Sequence, residues 1–284
     1  MKPLRLLPAL FVFFLALLTG GITAVHASTS TAPAFVVGVL PIHSARVLAE
    51  RYEPLRAYLE KILKQPVRIE SAADFRRFHA RSLAGDFDLS ITPAHFARLL
   101  QKQAHGQPLV QFVPDHDSLL VHSSEQPLPH FTDLKGKQLA VIDQLAITAS
   151  AALEFLHSQG LEANHDYQVV EHRTHASAAY SLISGISTAA VTTSQGLLQI
   201  PDEVRRKLVV KKHIADIPAF VLIAKKGTTK THANTLMRAL LAFQNTPAGL
   251  DFLRKTGYTN LIPATESSMK RADPYLRETI KALK

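Results

Sequence analysis

Short apolar runs alternate with amphipathic segments through most of this chain, and that alternation constrains the fold more than any other feature. "FVVGVLP" reads as a buried strand ending in a proline turn. In the next segment, "SARVLAERYEPLRAYLEKILKQ", the apolar residues Leu48, Tyr52, Leu55, Leu59 and Ile62 step by four, three, four and three. Such spacing keeps one helical face inward. Pro54 inside the pattern predicts a kink or a split near Glu53. The alternation continues with "PVRIESA" as strand, "ADFRRFHARSLAG" as helix, "DFDLSIT" as strand, "PAHFARLLQKQ" as helix and "PLVQFVP" as strand.

A second series begins near Ser118: "SLLVHS", "LKGKQLAVID", helix "ITASAALEFLHSQG", strand "DYQVVEH", helix "HASAAYSLISG", strand "TAAVTT" and a helical "SQGLLQIPDEVRRKL". Residues 209–226 are extended and broken at "DIP", and helices alone are expected after them. Strands separated by helices of this length predict an α/β protein of two lobes, each a mostly parallel sheet flanked by helices. The expected boundaries are 28–117 plus 221–284 for the first lobe and 118–220 for the second. Two crossovers, near Pro114 to Leu120 and Asp216 to Val221, would form the hinge, with the helical tail folded back onto the first lobe.

The beginning of the chain does not belong to this pattern. Lys2 and Arg5 precede an apolar run from Leu6 to Leu18, and Val25 with Ala27 offers a small-residue cleavage site. Residues 1–27 therefore read as a secretory signal peptide cut after Ala27, which predicts export to the periplasm; the run is short for a membrane span. Export leaves 257 residues with a charge of +7 in place of the full chain's +9, since only Lys2 and Arg5 are lost. The cationic side chains are dispersed, with "RRK" at 205–207 among the densest spots, so a small anion or an acidic surface is expected as partner and nucleic acid is not. The absence of cysteine excludes disulfides, thiolate nucleophiles and cysteine-held metals.

In open α/β sheets ligands bind at the carboxyl ends of strands, where helix N-termini present free N–H groups. Four strand-to-helix turns stand out. "LPIHSAR" carries His43 and Ser44, and Ser44 also reads as an ordinary N-cap. "SITPAHFA" carries Thr92, His95 and Phe96 around a proline at the first helical position. The turn "DQLAITAS" carries Thr148 and Ser150, and "RTHASAAYSLISG" carries Thr174 as a cap followed by His175. Hydroxyls and imidazoles suit an anion held by uncharged donors. No nucleophile elbow, dinucleotide fingerprint, phosphate loop or zinc-protease motif is present, and no carboxylate pair is placed for acid/base work. An enzyme is not expected, nor is a cofactor. His172 and His175 end a strand and start a helix, with few acidic neighbours, so no metal site is expected either.

The segments "GVLPIHSARVLAERYEPLRAYLEKIL", "GDFDLSITPAHFARLL", "FTDLKGKQLAVID", "DQLAITAS", "THASAAYSLISG", "IADIPAF" and "TPAGLDFLRKTGYTNLIPA" follow one another in an order that resembles a known family. It is that of the PhnD-like phosphate/phosphite/phosphonate-binding periplasmic proteins of ABC importers, which have the type 2 periplasmic-binding-protein fold. The resemblance spans about Phe35 to Ala264. It implies two lobes closing on a small anion, delivery to an ABC permease in the inner membrane, and a monomer. The same fold also serves in sensing, with a membrane signalling receptor as the alternative partner.

Phosphonate-binding members read Asp-Pro-x-Ser-Thr-Ser-Gly at the turn that is Asp143, Gln144, Leu145, Ala146, Ile147, Thr148, Ala149 here. Two of three hydroxyls are thus replaced by apolar groups, which at about 1.5–3 kcal/mol per hydrogen bond to a charged oxygen predicts weaker or altered anion binding. By the same resemblance His175 corresponds to a phosphonate-contacting histidine. Phe96 stands where a tyrosine is frequent, Thr92 where a glycine is, and Thr188 where an aspartate is usual.

Overall fold

The computed structural model describes residues 33–284, so the expected signal peptide and its cleavage point lie outside the described residues. The first series comprises β1 (Phe35–Val39), α1 (Ala45–Leu63), β2 (Val67–Glu70), α2 (Phe75–Ala84), β3 (Leu89–Thr92), α3 (Ala94–Ala104) and β4 (Gln107–Val113). The second comprises β5 (His116–Ser123), β6 (Gln138–Val141), α4 (Ile147–Ser158), β7 (Gln168–Glu171), α5 (His175–Ile183), β8 (Ala189–Thr192), the single turns α6 (Ser194–Leu197) and α7 (Asp202–Arg205), and β9 (Leu208–Ile217). The chain returns through β10 (Val221–Ala224) and ends with α8 (Lys230–Phe243), α9 (Pro247–Thr256), β11 (Asn260–Pro263), α10 (Glu266–Lys270) and α11 (Leu276–Leu283).

These strands form two sheets, in the orders β11-β4-β10-β3-β1-β2 and β7-β6-β8-β5-β9. Each sheet with its helices makes one lobe, giving the two-lobed α/β architecture. The sheets are mixed, where mostly parallel ones were expected. In the first, β1 runs parallel to β2 and β3, but the returning β10 is antiparallel to both β3 and β4. In the second, β6 runs parallel to β7 and β8, and β5 is antiparallel to β8 and β9. The antiparallel pairs arise where the chain crosses between lobes and enters the other sheet from the opposite direction.

Two further expectations are corrected. Pro54 neither ends nor splits α1, which runs unbroken for 19 residues. The missing N–H concerns the carbonyl of Glu50, an exposed residue whose carbonyl water can serve, while Leu48, Tyr52, Leu55 and Leu59 hold the buried face. Ile62, in the last turn, is exposed. The tail is also not purely helical: β11 pairs with the edge of β4, placing Leu261 opposite Phe112. The four residues of β11, set between the Gly257 end of α9 and the Thr265 cap of α10, are too few to show a period.

The first lobe is rich in aromatic side chains. Phe243 and Phe252 of the tail pack on each other and on Tyr58 and Tyr52 of α1, so α8 and α9 cover the first sheet. The second-lobe core is built from Leu, Val and Ala of α4 and the β6/β8 strands. No helix among the described residues is long and apolar enough to cross a membrane.

Candidate functional site

A helix leaves its first N–H groups without intrahelical partners, and a Ser, Thr, Asp or Asn side chain normally takes one of them. That is so for α1 (Ser44), α2 (Asp74), α5 (Thr174), α8 (Thr229) and α9 (Thr246). It is not so for α3 and α4, whose N-cap residues are Pro93 and Ala146 and make no side-chain cap. These two uncapped ends meet across the lobes. His95, in the first turn of α3, reaches the carbonyl of Leu145, just before α4, with Nε2 to O at 3.0 Å. Ala94 and Ala97 of α3 share one apolar cluster with Ile147 and Ala151 of α4.

At this junction Thr92 is fully buried and its Oγ1 has no hydrogen-bond partner. His95 is also fully buried, and burial pushes its pKa down to about 3, so it is neutral at pH 7. Its Nε2 faces a carbonyl and must donate, which leaves Nδ1 as an acceptor without a partner. Phe96, a candidate from the same turn, is placed differently from these two. It lies in the first-lobe core with its ring 4.4 Å from that of His95 and 4.5 Å from that of His79, and no part of it is exposed.

In the second lobe the turn before α4 is tied back on itself. Asp143 accepts from the Leu145 N–H at 2.7 Å through Oδ1, and Glu171 accepts from the Gln144 N–H at 2.9 Å. Burial raises the Asp143 pKa, with the charges of Glu171 and Asp74 adding to the effect. Thr148 is buried in the first turn of α4. Ser150 is committed elsewhere: its hydroxyl meets Thr279 of α11 at 3.1 Å, behind the helix end. His175 starts α5, where its Nδ1 lies 2.9 Å from Thr192 Oγ1, and burial lowers its pKa as well. Gly196 admits that ring, since a β-carbon there would lie 2.6 Å from His175 Cε1.

On the first-lobe rim His43 engages Arg51, Nε2 to Nη1 at 2.8 Å, and burial lowers its pKa. Ser44 is exposed and caps α1 by accepting from the Val47 N–H at 3.5 Å. Thr92, His95 and the Thr148 turn are therefore gathered at one junction, while Ser150, Phe96 and Ser44 have structural partners. Sequence reading passed over Thr192, Gly196 and Asp117. Asp117 accepts from the Ser194 N–H at 2.9 Å at the start of α6. The run "VTTSQG" was a fifth strand-to-helix turn of the same kind as the four singled out. No group of three or more metal-ligating side chains occurs among the described residues.

The fold recurs in solved structures. A Xanthomonas citri protein bound to chloride ion aligns with a TM-score of 0.77 at 16% identity, over 88% of this chain and 98% of that one. PhnD1 from Prochlorococcus marinus in complex with methylphosphonate aligns at 0.73 and 15% identity, over 87% and 98%. A binding protein component of an ABC phosphonate transporter from Pseudomonas aeruginosa aligns at 0.71 and 13% identity, over 88% and 89%. Residues 37–269 match the family model described as "ABC transporter, phosphonate, periplasmic substrate-binding protein". That match covers most of the chain, and the chain belongs to this family of phosphonate ABC transporter periplasmic substrate-binding proteins.

Proposed function

We propose that the mature protein, residues 28–284 after cleavage at Ala27, captures a small oxyanion of the phosphonate, phosphite or phosphate class between its lobes and delivers it to an ABC permease, working as a monomer and without catalysis. The lobes, expected from the sequence at 28–117 with 221–284 and at 118–220, would hinge where β4 passes to β5 and β9 to β10. The observation that carries this reading is the meeting of two uncapped helix ends beside the unpartnered Thr92 hydroxyl. Free N–H groups there would take the oxyanion's oxygens, and the helix dipoles favour its charge. Thr92 and Thr148 would donate hydroxyls and His175 an imidazole N–H, with His43 at the rim and Ser44 beside it as the cap of α1. Phe96 and Ser150 would hold α3 and α4 in place. His95 Nδ1, an acceptor, suits a protonated oxygen of the ligand. Membership in a family of transporter components favours this over the sensing role.

Thermal unfolding of the mature protein against phosphate, phosphite, methylphosphonate, 2-aminoethylphosphonate, sulfonates and carboxylates tests the reading. A ligand at 100 times its dissociation constant stabilises by about 2.7 kcal/mol, a rise of a few degrees. Replacing Thr148 and His175 together by alanine should weaken the oxyanion that gives this shift by about a hundredfold. Unchanged affinity in that double variant would remove the site.

A further inference from the structure

Between the lobes run contacts that, apart from His95, are made by groups contributing no ligand contact in the oxyanion reading. Leu145 belongs by sequence to the second lobe, yet it is only 5% exposed and lies in the apolar cluster of the first, with Val39, Leu40 and Phe96. Its carbonyl takes the His95 N–H. Beside it, Ile147 and Ala151 pack with Ala94, Ala97 and Leu100. This contact is as dry as a core.

A second tie runs behind α4. The last helix, α11, is fastened to the second lobe by Ser150 to Thr279 at 3.1 Å, Arg277 to Glu154 at 3.1 Å and Lys281 to Glu162. Its final carbonyls, of Ala282 and Leu283, accept from Arg76 of α2 in the first lobe. The helix thus straps one lobe to the other.

Resting on the two-lobed binding reading, we propose that this protein closes on itself: Leu145, seated in the first-lobe core, and the α11 strap held by Arg76 keep the lobes shut before any ligand arrives. Ligand enters only during excursions to an open form, and its apparent affinity is reduced by the fraction of molecules that are open. The replacement of donors by Ala146 and Ile147 at this turn, beside the inserted Leu145, then exchanges ligand-driven closure for closure driven by apolar burial.

Because the chain has no cysteine, spin labels can be placed singly with Lys61→Cys on α1 and Gln159→Cys at the end of α4. The mature protein is refolded from denaturant to strip bound solute, and the distance between labels is read by double electron–electron resonance with nothing added. One narrow short-distance population is expected. Leu145→Gly should add a longer one, raising the open-to-closed ratio about thirtyfold or more, as removal of a buried leucine does in a core. Arg76→Gln, at an exposed position, should move the ratio the same way by less. If Leu145→Gly fails to fold by circular dichroism, Leu145→Ala and Arg76→Gln give the same reading. A broad or long distance in the unsubstituted, ligand-free protein overturns self-closure, and so does an unchanged distribution in the variants. Since no ligand is added, this outcome is independent of whether any oxyanion shifts the melting temperature.

Discussion

The helix ends of this molecule fall into two groups, and the difference separates structure from recognition. At α1, α2, α5, α8 and α9 a side chain takes an N–H of the first turn. At α3, α4, α7 and α11 none does, and of these α3 and α4 face each other across the lobes. A capped end has part of its donor capacity already consumed; an uncapped, buried end must find its acceptor elsewhere. The contrast predicts that converting one kind of end into the other moves stability and binding in opposite directions.

The largest effect is expected from Ala146→Asp. Ala146 already has the extended backbone of a cap residue, at φ −68° and ψ 138°. An aspartate there would accept from the first turn of α4 and stabilise the helix by about 1 kcal/mol. It would also put a negative charge where the ligand's oxygens belong. Calorimetry should show oxyanion binding weakened by about a hundredfold or more while the melting temperature rises. Binding that survives in this variant would show that the end of α4 is not the recognition element.

The α3 end differs from the α4 end in carrying a buried imidazole, His95, which shares the Phe96 ring with His79 of α2, and acid sharpens that difference. His95 and His79 are buried, with pKa values pushed down to about 3 and about 4 from an ordinary 6.5. Between those values and 6.5 the unfolded chain binds protons that the native state refuses. Stability is therefore lost as pH falls below 6.5, by up to about 1.4 kcal/mol per pH unit for each histidine. Asp143, with its pKa raised by burial, acts in the opposite sense, while His43, His116 and His175, each lowered by burial, act in the same sense as His95 and His79. Urea midpoints measured from pH 7 down to pH 4 should follow this slope. His79 has both ring nitrogens without partners, so His79→Leu should raise stability at pH 7 and flatten the slope by one histidine's share.

How much of this was legible in the sequence depended on period and on distance. The Leu48, Tyr52, Leu55, Leu59 face and the short apolar strands carry periodicity, and the two-lobed α/β plan followed from them. β11 did not, because four residues show no period and its partner β4 lies far away in the chain. Hydroxyls and histidines at helix starts could be found, but their commitments could not. Ser150 is claimed by Thr279, 129 positions away, and Phe96 by a core that includes His79. Leu145 reads as a loop residue of its own lobe and is buried in the other. Such assignments are set by tertiary contacts between distant segments, which no local pattern encodes.

The smallest expected effect comes from the capped side of the comparison. Ser44 sits beside His43 in the turn before α1, where sequence alone allowed either a ligand contact or a cap. Its hydroxyl is exposed and accepts from the Val47 N–H at 3.5 Å, a long hydrogen bond in water. A cap of that quality is worth about 0.5 kcal/mol. Ser44→Ala should lower stability by that amount in a urea titration and leave oxyanion affinity untouched. A tenfold loss of affinity instead would mean that the hydroxyl leaves its cap when ligand binds, and that a capped helix end can also recognise.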